Sequence, residues 1–255
     1  MKPWLGANWK MHKTVREARE YVARWNSLVE ESPLGEEAEA VLFPPFTALA
    51  AVGEALVGAS LGAQNVYPED GGAFTGEISP PMLAELGVRY VLVGHSERRH
   101  ILGEEDAFLR RKFDALVARG FVPVLCVGET AEERRTGRTD EVLLRQLDGV
   151  LGEREAFPGT FVVAYEPVWA IGTGIPATPE DAAQAVARIR AYLRERFGAP
   201  ADGVPIVYGG SVDPDNVGGF VRPGVSDGAL VGSKSLEADV FFRLAQNALE
   251  AWRKG

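Results

Sequence analysis

Short apolar segments alternate along the chain with longer amphipathic segments. The apolar segments are rich in β-branched residues, as is typical of strands that are buried on both faces. They predict eight strands, at residues 4–8, 40–43, 60–64, 90–93, 122–126, 161–165, 206–208 and 229–231. The intervening segments carry apolar residues at a spacing of three to four, which predicts helices such as 15–29, 107–118 and 179–197.

The predicted order of elements is a strand followed by a helix, repeated eight times. Spread over 255 residues, each unit averages about 32 residues, which is typical of a single (β/α)8 barrel. A doubly wound open sheet is the alternative, but it would normally carry a G-x-G-x-x-G motif after an early strand. Trp9 and Lys10 follow the first strand here instead. We therefore expect one α/β domain over residues 1–255.

Two polar residues are expected to begin helices. Thr178 is followed by Pro179 and two acids. Threonine is a common N-cap, proline is favoured in the first turn, and acidic residues there stabilise a helix start. Ser235 stands before Leu236 and is expected to cap the last helix.

Charge and composition exclude several classes of function. The net charge of −9 argues against a nucleic-acid groove or an anionic membrane surface, so an anionic substrate would need local attraction. No apolar run approaches the roughly 18 residues of a membrane span, and no secretory signal is expected at the start. The single cysteine, Cys126, indicates a reducing cytoplasm. Arginine exceeds lysine, which fits a heat-adapted source or a coding bias.

Polar residues stand where the predicted strands end. The carboxyl ends of barrel strands converge on one face, where the active sites of such folds lie. The residues at these ends that we expect to form a site are Asn8, Lys10, His95, Glu97, Glu166, Gly209, Gly210, Ser211, Gly232 and Ser233. Their shared placement is stronger evidence for a site than any one of them.

Glu166 is the candidate general base, because it ends an apolar strand directly before a Pro-aromatic-Gly loop. The alternative is a buried structural acid paired with a basic residue. We expect the loop to act as a lid formed by Pro167, Val168, Trp169, Ala170, Ile171, Gly172 and Thr173. Packing of Ile171 and Leu230 over the carboxylate would exclude water and raise its basicity.

His95 is the candidate electrophile, because it lies between Gly94 and a predicted helix start. A helix N-terminus disfavours the protonated ring, and a neutral imidazole can polarise a carbonyl by hydrogen bonding. Lys10 is expected to point into the pocket, held by Glu97, rather than into solvent. A hydrogen-bonded structural histidine and a solvated lysine are the alternatives.

Three glycine-containing loops follow strands 6, 7 and 8, and we expect their N–H groups to bind a phosphate. The candidate residues there are Gly172, Gly209, Gly210, Ser211, Gly232 and Ser233. Tight turns are the alternative reason for these glycines. Cys126 is expected to be buried packing, and no metal-ligand spacing is present in the sequence, so a metal is not required.

Several motifs, in this order, resemble the bacterial-type triosephosphate isomerase family over the whole chain. They are Asn8-Trp9-Lys10-Met11, Ala63-Gln64-Asn65-Val66, Gly72-Ala73-Phe74-Thr75-Gly76-Glu77, Val93-Gly94-His95-Ser96-Glu97-Arg98-Arg99, Cys126-Val127-Gly128-Glu129, the run from Ala164 to Gly174, and Tyr208-Gly209-Gly210-Ser211-Val212. One departure is Ser233-Lys234-Ser235, where the family usually has Gly-Ala-Ser.

The resemblance implies a TIM barrel that interconverts dihydroxyacetone phosphate and D-glyceraldehyde 3-phosphate through an enediol(ate), without a cofactor, in glycolysis and gluconeogenesis. It gives Glu166 the role of base and His95 that of proton shuttle, with Lys10 and Asn8 beside the substrate oxygens. It implies that the phosphate is bound by Gly172, Ser211, Gly232 and Ser233. It also implies a homodimer, or a higher oligomer, in which the loop around Thr75 inserts into the neighbouring subunit.

In that assembly, Gln64 and Arg98 would lie near the interface. Two other functions stay open at this point. One is a barrel aldolase that acts on sugar phosphates through an imine at Lys10. The other is a barrel without catalytic activity that serves as a binding protein.

Overall fold

Eight parallel strands close into a barrel in the computed structural model, which describes residues 1–170 and 177–255. The strands are β1 (Trp4–Asn8), β2 (Glu39–Phe43), β3 (Ser60–Ala63), β4 (Tyr90–Val93), β5 (Val122–Val127), β6 (Val162–Tyr165), β7 (Ile206–Tyr208) and β8 (Gly228–Val231). Each strand pairs with the next in sequence, and β8 pairs with β1, where Val231 lies opposite Ala7. The closed (β/α)8 barrel predicted from the sequence is confirmed.

Helices fill the connections between the strands. They are α1 (Val15–Glu30), α2 (Leu34–Glu37), α3 (Leu49–Gly53), α4 (Pro80–Glu85), α5 (Ser96–His100), α6 (Asp106–Val117), α7 (Ala131–Arg135), α8 (Thr139–Leu151), α9 (Pro179–Phe197), α10 (Val217–Phe220) and α11 (Ala238–Lys254). Short 3₁₀ turns occur at Phe46–Ala48, Val168–Ala170, Ala199–Gly203 and Ser233–Ser235. Across residues 1–170 and 177–255, none of the helices combines the length and the apolar character that crossing a bilayer requires.

The predicted helix starts have different outcomes. α9 begins as predicted, because the Thr178 side chain accepts a hydrogen bond from the Asp181 amide and the Asp181 carboxylate accepts one from the Thr178 amide. The prediction for Ser235 is wrong. Its hydroxyl donates to the Gly232 carbonyl at 2.7 Å within the 3₁₀ turn, and Glu237 is the residue that precedes α11.

Apolar side chains pack on both sides of the barrel wall, which explains why the strands read as nearly continuous apolar runs. One layer fills the barrel interior and the other lies between the strands and the helices. The interior layer consists of Trp4, Val41, Phe43, Tyr90, Leu92, Val122, Val124, Cys126, Val162, Ala164, Val207 and Leu230. The two layers make the carboxyl ends of the strands a rigid platform for the loops that follow.

Val124 offers a direct test of the interior layer. Its side chain is fully buried, so Val124→Ala should lower the free energy of unfolding by about 2–3 kcal/mol, through lost burial and the cavity left behind. Val57→Ala is the matched control, because that side chain is 61% exposed and should change stability by less than about 0.5 kcal/mol. Urea unfolding at one fixed protein concentration measures both, and equal effects would contradict the interior packing.

Candidate active site

A cavity of about 470 Å³ opens at the carboxyl ends of the strands. Of the residues predicted from the sequence to form the site, those that line it are Asn8, Lys10, His95, Glu166, Gly209, Gly210, Ser211, Leu230, Gly232 and Ser233. They come from the ends of β1, β4, β6, β7 and β8, so barrel closure brings together residues that are far apart in sequence.

The Glu166 carboxylate lies at the floor of this cavity and is almost completely buried. One oxygen, Oε2, accepts a hydrogen bond from the Ser96 amide at 2.8 Å, and Oε1 lies 3.0 Å from Nε2 of His95. Burial alone would raise the pKa of Glu166, but His95, the Ser96 amide and the charge of Lys10 outweigh it and hold the pKa below its usual range. The lowered pKa favours the ionised carboxylate, so the raised basicity expected from burial does not appear in this arrangement.

The imidazole of His95 is oriented by the start of α5. Nδ1 accepts a hydrogen bond from the Glu97 amide at 3.2 Å. A ring nitrogen that accepts cannot also carry a proton, so the neutral ring has its proton on Nε2, pointing toward Glu166. Gly94 makes this turn with φ of +73°, and a β-carbon there would lie 2.9 Å from Leu109 and 3.0 Å from the Arg99 guanidinium.

The environment of His95 differs from the sequence prediction in one respect. Burial disfavours the protonated ring, as expected of a neutral electrophile. The facing Glu166 carboxylate, with a smaller contribution from Glu97, acts in the opposite direction and raises the pKa of His95 in this arrangement. The prediction for the His95 pKa rested on the helix start alone. It did not include the Glu166 carboxylate, which directly follows β6.

Lys10 has an unusual backbone conformation that the surrounding side chains stabilise. Its φ is +52°, a left-handed conformation that non-glycine residues rarely adopt. Its amide donates to Asn8 Oδ1 at 3.0 Å, and its carbonyl accepts a hydrogen bond from Gln64 Nε2 at 2.8 Å. Its ammonium lies 2.7 Å from Glu97, as predicted. Asn8, Gln64 and Glu97 thus fix both ends of Lys10 within the cavity wall.

Gly209 and Gly210, which follow β7, lie so close to Glu166 and Tyr208 that neither position has room for a side chain. A β-carbon at Gly209 would lie 2.8 Å from Cγ of Glu166, and one at Gly210 would lie 2.1 Å from the Tyr208 hydroxyl oxygen. The Ser211 hydroxyl donates to the Ala170 carbonyl at 3.3 Å, which joins this loop to the first part of the lid. The glycines are therefore required by close packing as well as by turn geometry.

The first part of the predicted lid, residues 167–170, is held against the barrel by Glu129. The Trp169 indole N–H donates to Oε1 of Glu129 at 2.8 Å, and the Tyr165 hydroxyl donates to the same oxygen at 3.2 Å. Burial raises the pKa of Glu129. The predicted lid residues Ile171 and Thr173, and the predicted phosphate ligand Gly172, lie outside the described residues.

Arg134 makes a second contact with this part of the lid. Its guanidinium lies 4.0 Å from the centre of the Trp169 ring and 2.6 Å from the Asp181 carboxylate on α9. No role was predicted from the sequence for Arg134 or Glu129. Glu129 could have been found by its position, since it follows β5 by two residues, as His95 follows β4.

The predicted interface residues lie in the connections that follow β3 and β4, with Arg98 on α5. Thr75 is exposed, and Gln64 is half-buried against Lys10. Arg98 pairs with Glu104, whose Oε1 also accepts a hydrogen bond from the buried Lys112 ammonium at 2.6 Å. Arg98 therefore has a partner within its own chain, and its predicted role at an interface stays a prediction.

Cys126 has the buried packing role that the sequence indicated. Its thiol lies inside the barrel, fully buried, and burial raises the pKa of the thiol well above its usual value. Among residues 1–170 and 177–255, no group of three or more His, Cys, Asp or Glu side chains is arranged to hold a metal ion.

The close approach at Gly209 can be tested with an alanine. In Gly209→Ala, the added methyl group should displace Glu166 and lower kcat/KM toward the triose phosphate that the resemblance implies by about a hundredfold. Gly203→Ala is the matched control, because a β-carbon there meets no atom within 4 Å, and it should keep full activity. Equal activities of the two variants would contradict this packing.

Known proteins match the chain over nearly its whole length. A family model described as triosephosphate isomerase matches residues 3–248. A triosephosphate isomerase of Nitratidesulfovibrio vulgaris is 48% identical over 249 residues, covering 96% of this chain and 99% of that protein. One of Chloroflexus aurantiacus is 49% identical, covering 95% and 97%, and one of Aquifex aeolicus is 45% identical, covering 96% and 98%. The chain belongs to the triosephosphate isomerase family.

Proposed function

We propose that the protein interconverts dihydroxyacetone phosphate and D-glyceraldehyde 3-phosphate by proton transfer through an enediol(ate). This is an aldose–ketose isomerisation, and it serves glycolysis and gluconeogenesis. The observation that carries the proposal is the 3.0 Å contact between Glu166 and His95 in a cavity that Lys10 also lines. A base, a hydrogen-bond donor and a cation in one cavity are the groups that this reaction needs.

Glu166 moves the proton between the two carbons. In dihydroxyacetone phosphate, the carboxylate takes a proton from C1, the electron pair forms the C1–C2 double bond, and negative charge develops on the C2 oxygen. Return of that proton to C2 gives the aldehyde. Burial of the carboxylate supports this role, because a base without a hydration shell needs little solvent reorganisation to react.

His95 moves the proton between the two oxygens. Its Nε2–H donates to the C2 oxygen and transfers its proton as negative charge develops there. The nitrogen then takes the hydroxyl proton from the C1 oxygen, which restores the neutral ring. The Glu97 amide at Nδ1 supports this role, because it favours the neutral tautomer with the proton on Nε2.

Lys10 and Asn8 supply fixed charge and polarity beside the developing oxyanion. The ion pair with Glu97 and the support from Gln64 hold the Lys10 ammonium in place before the substrate binds. Charge that is already in position costs little reorganisation during the reaction. Glu97 acts here through Lys10 and the His95 ring, and we assign it a positioning role.

The loops after β6, β7 and β8 hold the substrate phosphate through backbone N–H groups. Ser211, Gly232 and Ser233 line the cavity, and we assign Gly172 to the same group from the sequence. A β-carbon at Gly232 would lie 3.9 Å from Nζ of Lys10, so the phosphate loops and the reacting end of the substrate are close together. Leu230 supplies an apolar wall beside the carboxylate.

The lid closes over the substrate and excludes water from the intermediate. The contacts of Trp169 with Glu129 and Arg134 hold the start of the lid near the end of β5 and against α7. When the lid closes, these contacts must therefore break, or Glu129 and Arg134 must move together with Trp169. The bond from Ser211 to the Ala170 carbonyl couples the lid to the phosphate loop after β7. Phosphate binding there favours the closed lid.

The two other functions are not favoured by the family or by the site. An imine-forming aldolase needs a lysine amine that is free to attack a carbonyl, whereas the Lys10 ammonium is bound to Glu97. A binding protein has no need of a buried base that faces an imidazole. The proposed reaction takes its base and its electrophile from the chain, so we propose no cofactor. We place it in the cytoplasm, where the single buried cysteine would stay reduced.

Removal of the base tests the proposed function. Glu166→Gln keeps the shape and the hydrogen bond from Ser96 but cannot accept a proton, so kcat should fall by about 10²- to 10⁴-fold. Glu195→Gln, an exposed residue on α9, is the matched control and should be fully active. Turnover of D-glyceraldehyde 3-phosphate, coupled to reduction of the product by NADH, measures both. Near-normal turnover by Glu166→Gln would refute the role of Glu166.

We further propose that the protein is a homodimer, with a tetramer as the alternative. Most of the large exposed apolar side chains among the described residues lie on the loops and short helices that follow β1 to β4, as expected of an interface. They are Met11 (94% exposed), Phe46 (37%), Phe74 (40%), Met82 (53%), Ile101 (76%) and Leu102 (62%), whereas Met1, Val15 and Val57 are exposed elsewhere. Thr75 and Gln64 lie in the connection after β3 and Arg98 lies on α5 after β4, which supports their assignment to that interface.

An added charge at Thr75 should separate the subunits. Thr75→Arg places a guanidinium in the contact, so we expect a monomer at micromolar concentration and lower activity, because the partner's loop would no longer pack beside Lys10 and His95. Thr160→Arg, an exposed residue before β6, carries the same charge change and should remain a dimer. Sedimentation equilibrium measures both masses. A Thr75→Arg variant with the mass of the wild type would contradict this interface.

A further inference from the structure

Two lysines line the cavity, and they differ in their electrostatic partners. The ammonium of Lys10 is paired with Glu97 at 2.7 Å, which offsets much of its charge. Lys234 is exposed, and within residues 1–170 and 177–255 no carboxylate oxygen lies within 4.0 Å of its ammonium. The acids of the cavity wall are Glu166 and Asp213. Lys234 therefore contributes a full positive charge that no ion pair offsets.

The backbone that carries Lys234 is fixed at the edge of the cavity. It lies in the 3₁₀ turn Ser233–Ser235, between Ser233, which lines the cavity, and Ser235, which is fully buried. The Ser235 hydroxyl and amide both donate to the Gly232 carbonyl, at 2.7 and 2.9 Å. Hydrogen bonds within the turn therefore fix its backbone, and the Lys234 side chain on it is exposed to solvent.

The two lysines approach the same region from neighbouring strands. β1 and β8 are paired, and Lys10 and Lys234 follow them by two and three residues. The side chain of Lys10 reaches the segment of Gly232, where a β-carbon would lie 3.5 Å from its Cε. A dianion that enters beside Gly232 and Ser233 would lie between one paired cation and one unpaired cation.

We propose that Lys234 is a substrate-binding residue that attracts the phosphate dianion and contacts it at the edge of the cavity. The inference rests on the proposed function and adds a residue to it. A chain of net charge −9 repels an anionic substrate at long range, so a local unpaired cation raises the rate of productive encounter. Lysine suits this role, because its long flexible side chain can follow the phosphate while it binds.

The role predicts a change in KM that kcat does not share. In Lys234→Ala, KM for D-glyceraldehyde 3-phosphate should rise about three- to tenfold, with kcat within about twofold of wild type. The inhibition constant for inorganic phosphate should rise by the same factor. The fall of kcat/KM with added salt should become shallower, because the variant has lost a charge that salt screens. Lys234→Arg should restore KM, the inhibition constant for phosphate and the salt dependence to their wild-type values.

Lys254→Ala is the matched control. It removes the same charge from an exposed site at the end of α11, where Lys254 pairs with Glu250 on the same helix. If Lys234→Ala matches Lys254→Ala in KM, in phosphate inhibition and in salt dependence, Lys234 is a solvated surface lysine and the inference is overturned. A fall in kcat without a rise in KM would overturn it as well.

Calorimetric titration with inorganic phosphate separates this inference from the proposed function, because it needs no turnover. If wild type does not isomerise the substrate but binds phosphate more tightly than Lys234→Ala, the proposed function fails and the role of Lys234 as a phosphate ligand stands. If wild type is active and both proteins bind phosphate equally, only the inference fails.

Discussion

The contact between the His95 ring and the Glu166 carboxylate is the interaction on which the rest of the site depends. Burial of a carboxylate and an imidazole is unfavourable unless each has hydrogen-bond partners. The Ser96 and Glu97 amides at the start of α5 supply those partners, one to each side chain. The left-handed turn at Gly94 and the missing side chain at Gly209 make room for the pair. Barrel closure brings β4 and β6 close enough for it to form.

Two buried glutamates at the same end of the barrel show how partners decide the state of a carboxyl group. Both are almost completely excluded from solvent. The pKa of Glu166 is lowered, because its burial is outweighed by His95, a backbone amide and the charge of Lys10. The pKa of Glu129 is raised, because burial prevails over hydrogen bonds from neutral groups such as the Trp169 indole, even with the Arg134 guanidinium 3.6 Å from Oε1. The first arrangement suits a base, and the second suits an anchor for the lid.

The architecture was largely predictable from the sequence, because it follows from local patterns. Apolar runs located all eight strands, and Thr178 marked the start of α9. The misses depend on contacts between residues far apart in sequence. Ser235 is a residue type that often caps helices, but here its hydroxyl is bonded inside the 3₁₀ turn. The effect of Glu166 on His95 arises only when the closed barrel brings the carboxyl ends of β4 and β6, which flank β5, to the same face. The support that Gln64 gives to Lys10 is of the same kind.

Incorporation of solvent deuterium tests the central claim, proton transfer through an enediol(ate), most directly. D-Glyceraldehyde 3-phosphate is turned over in D₂O, and the dihydroxyacetone phosphate formed early in the reaction is analysed by proton NMR. The account predicts that a fraction of the product carries deuterium at C1, because a proton held on the Glu166 carboxylate can exchange with solvent before it is returned. Product free of deuterium throughout the reaction would indicate direct hydride transfer between the carbons and would contradict the account.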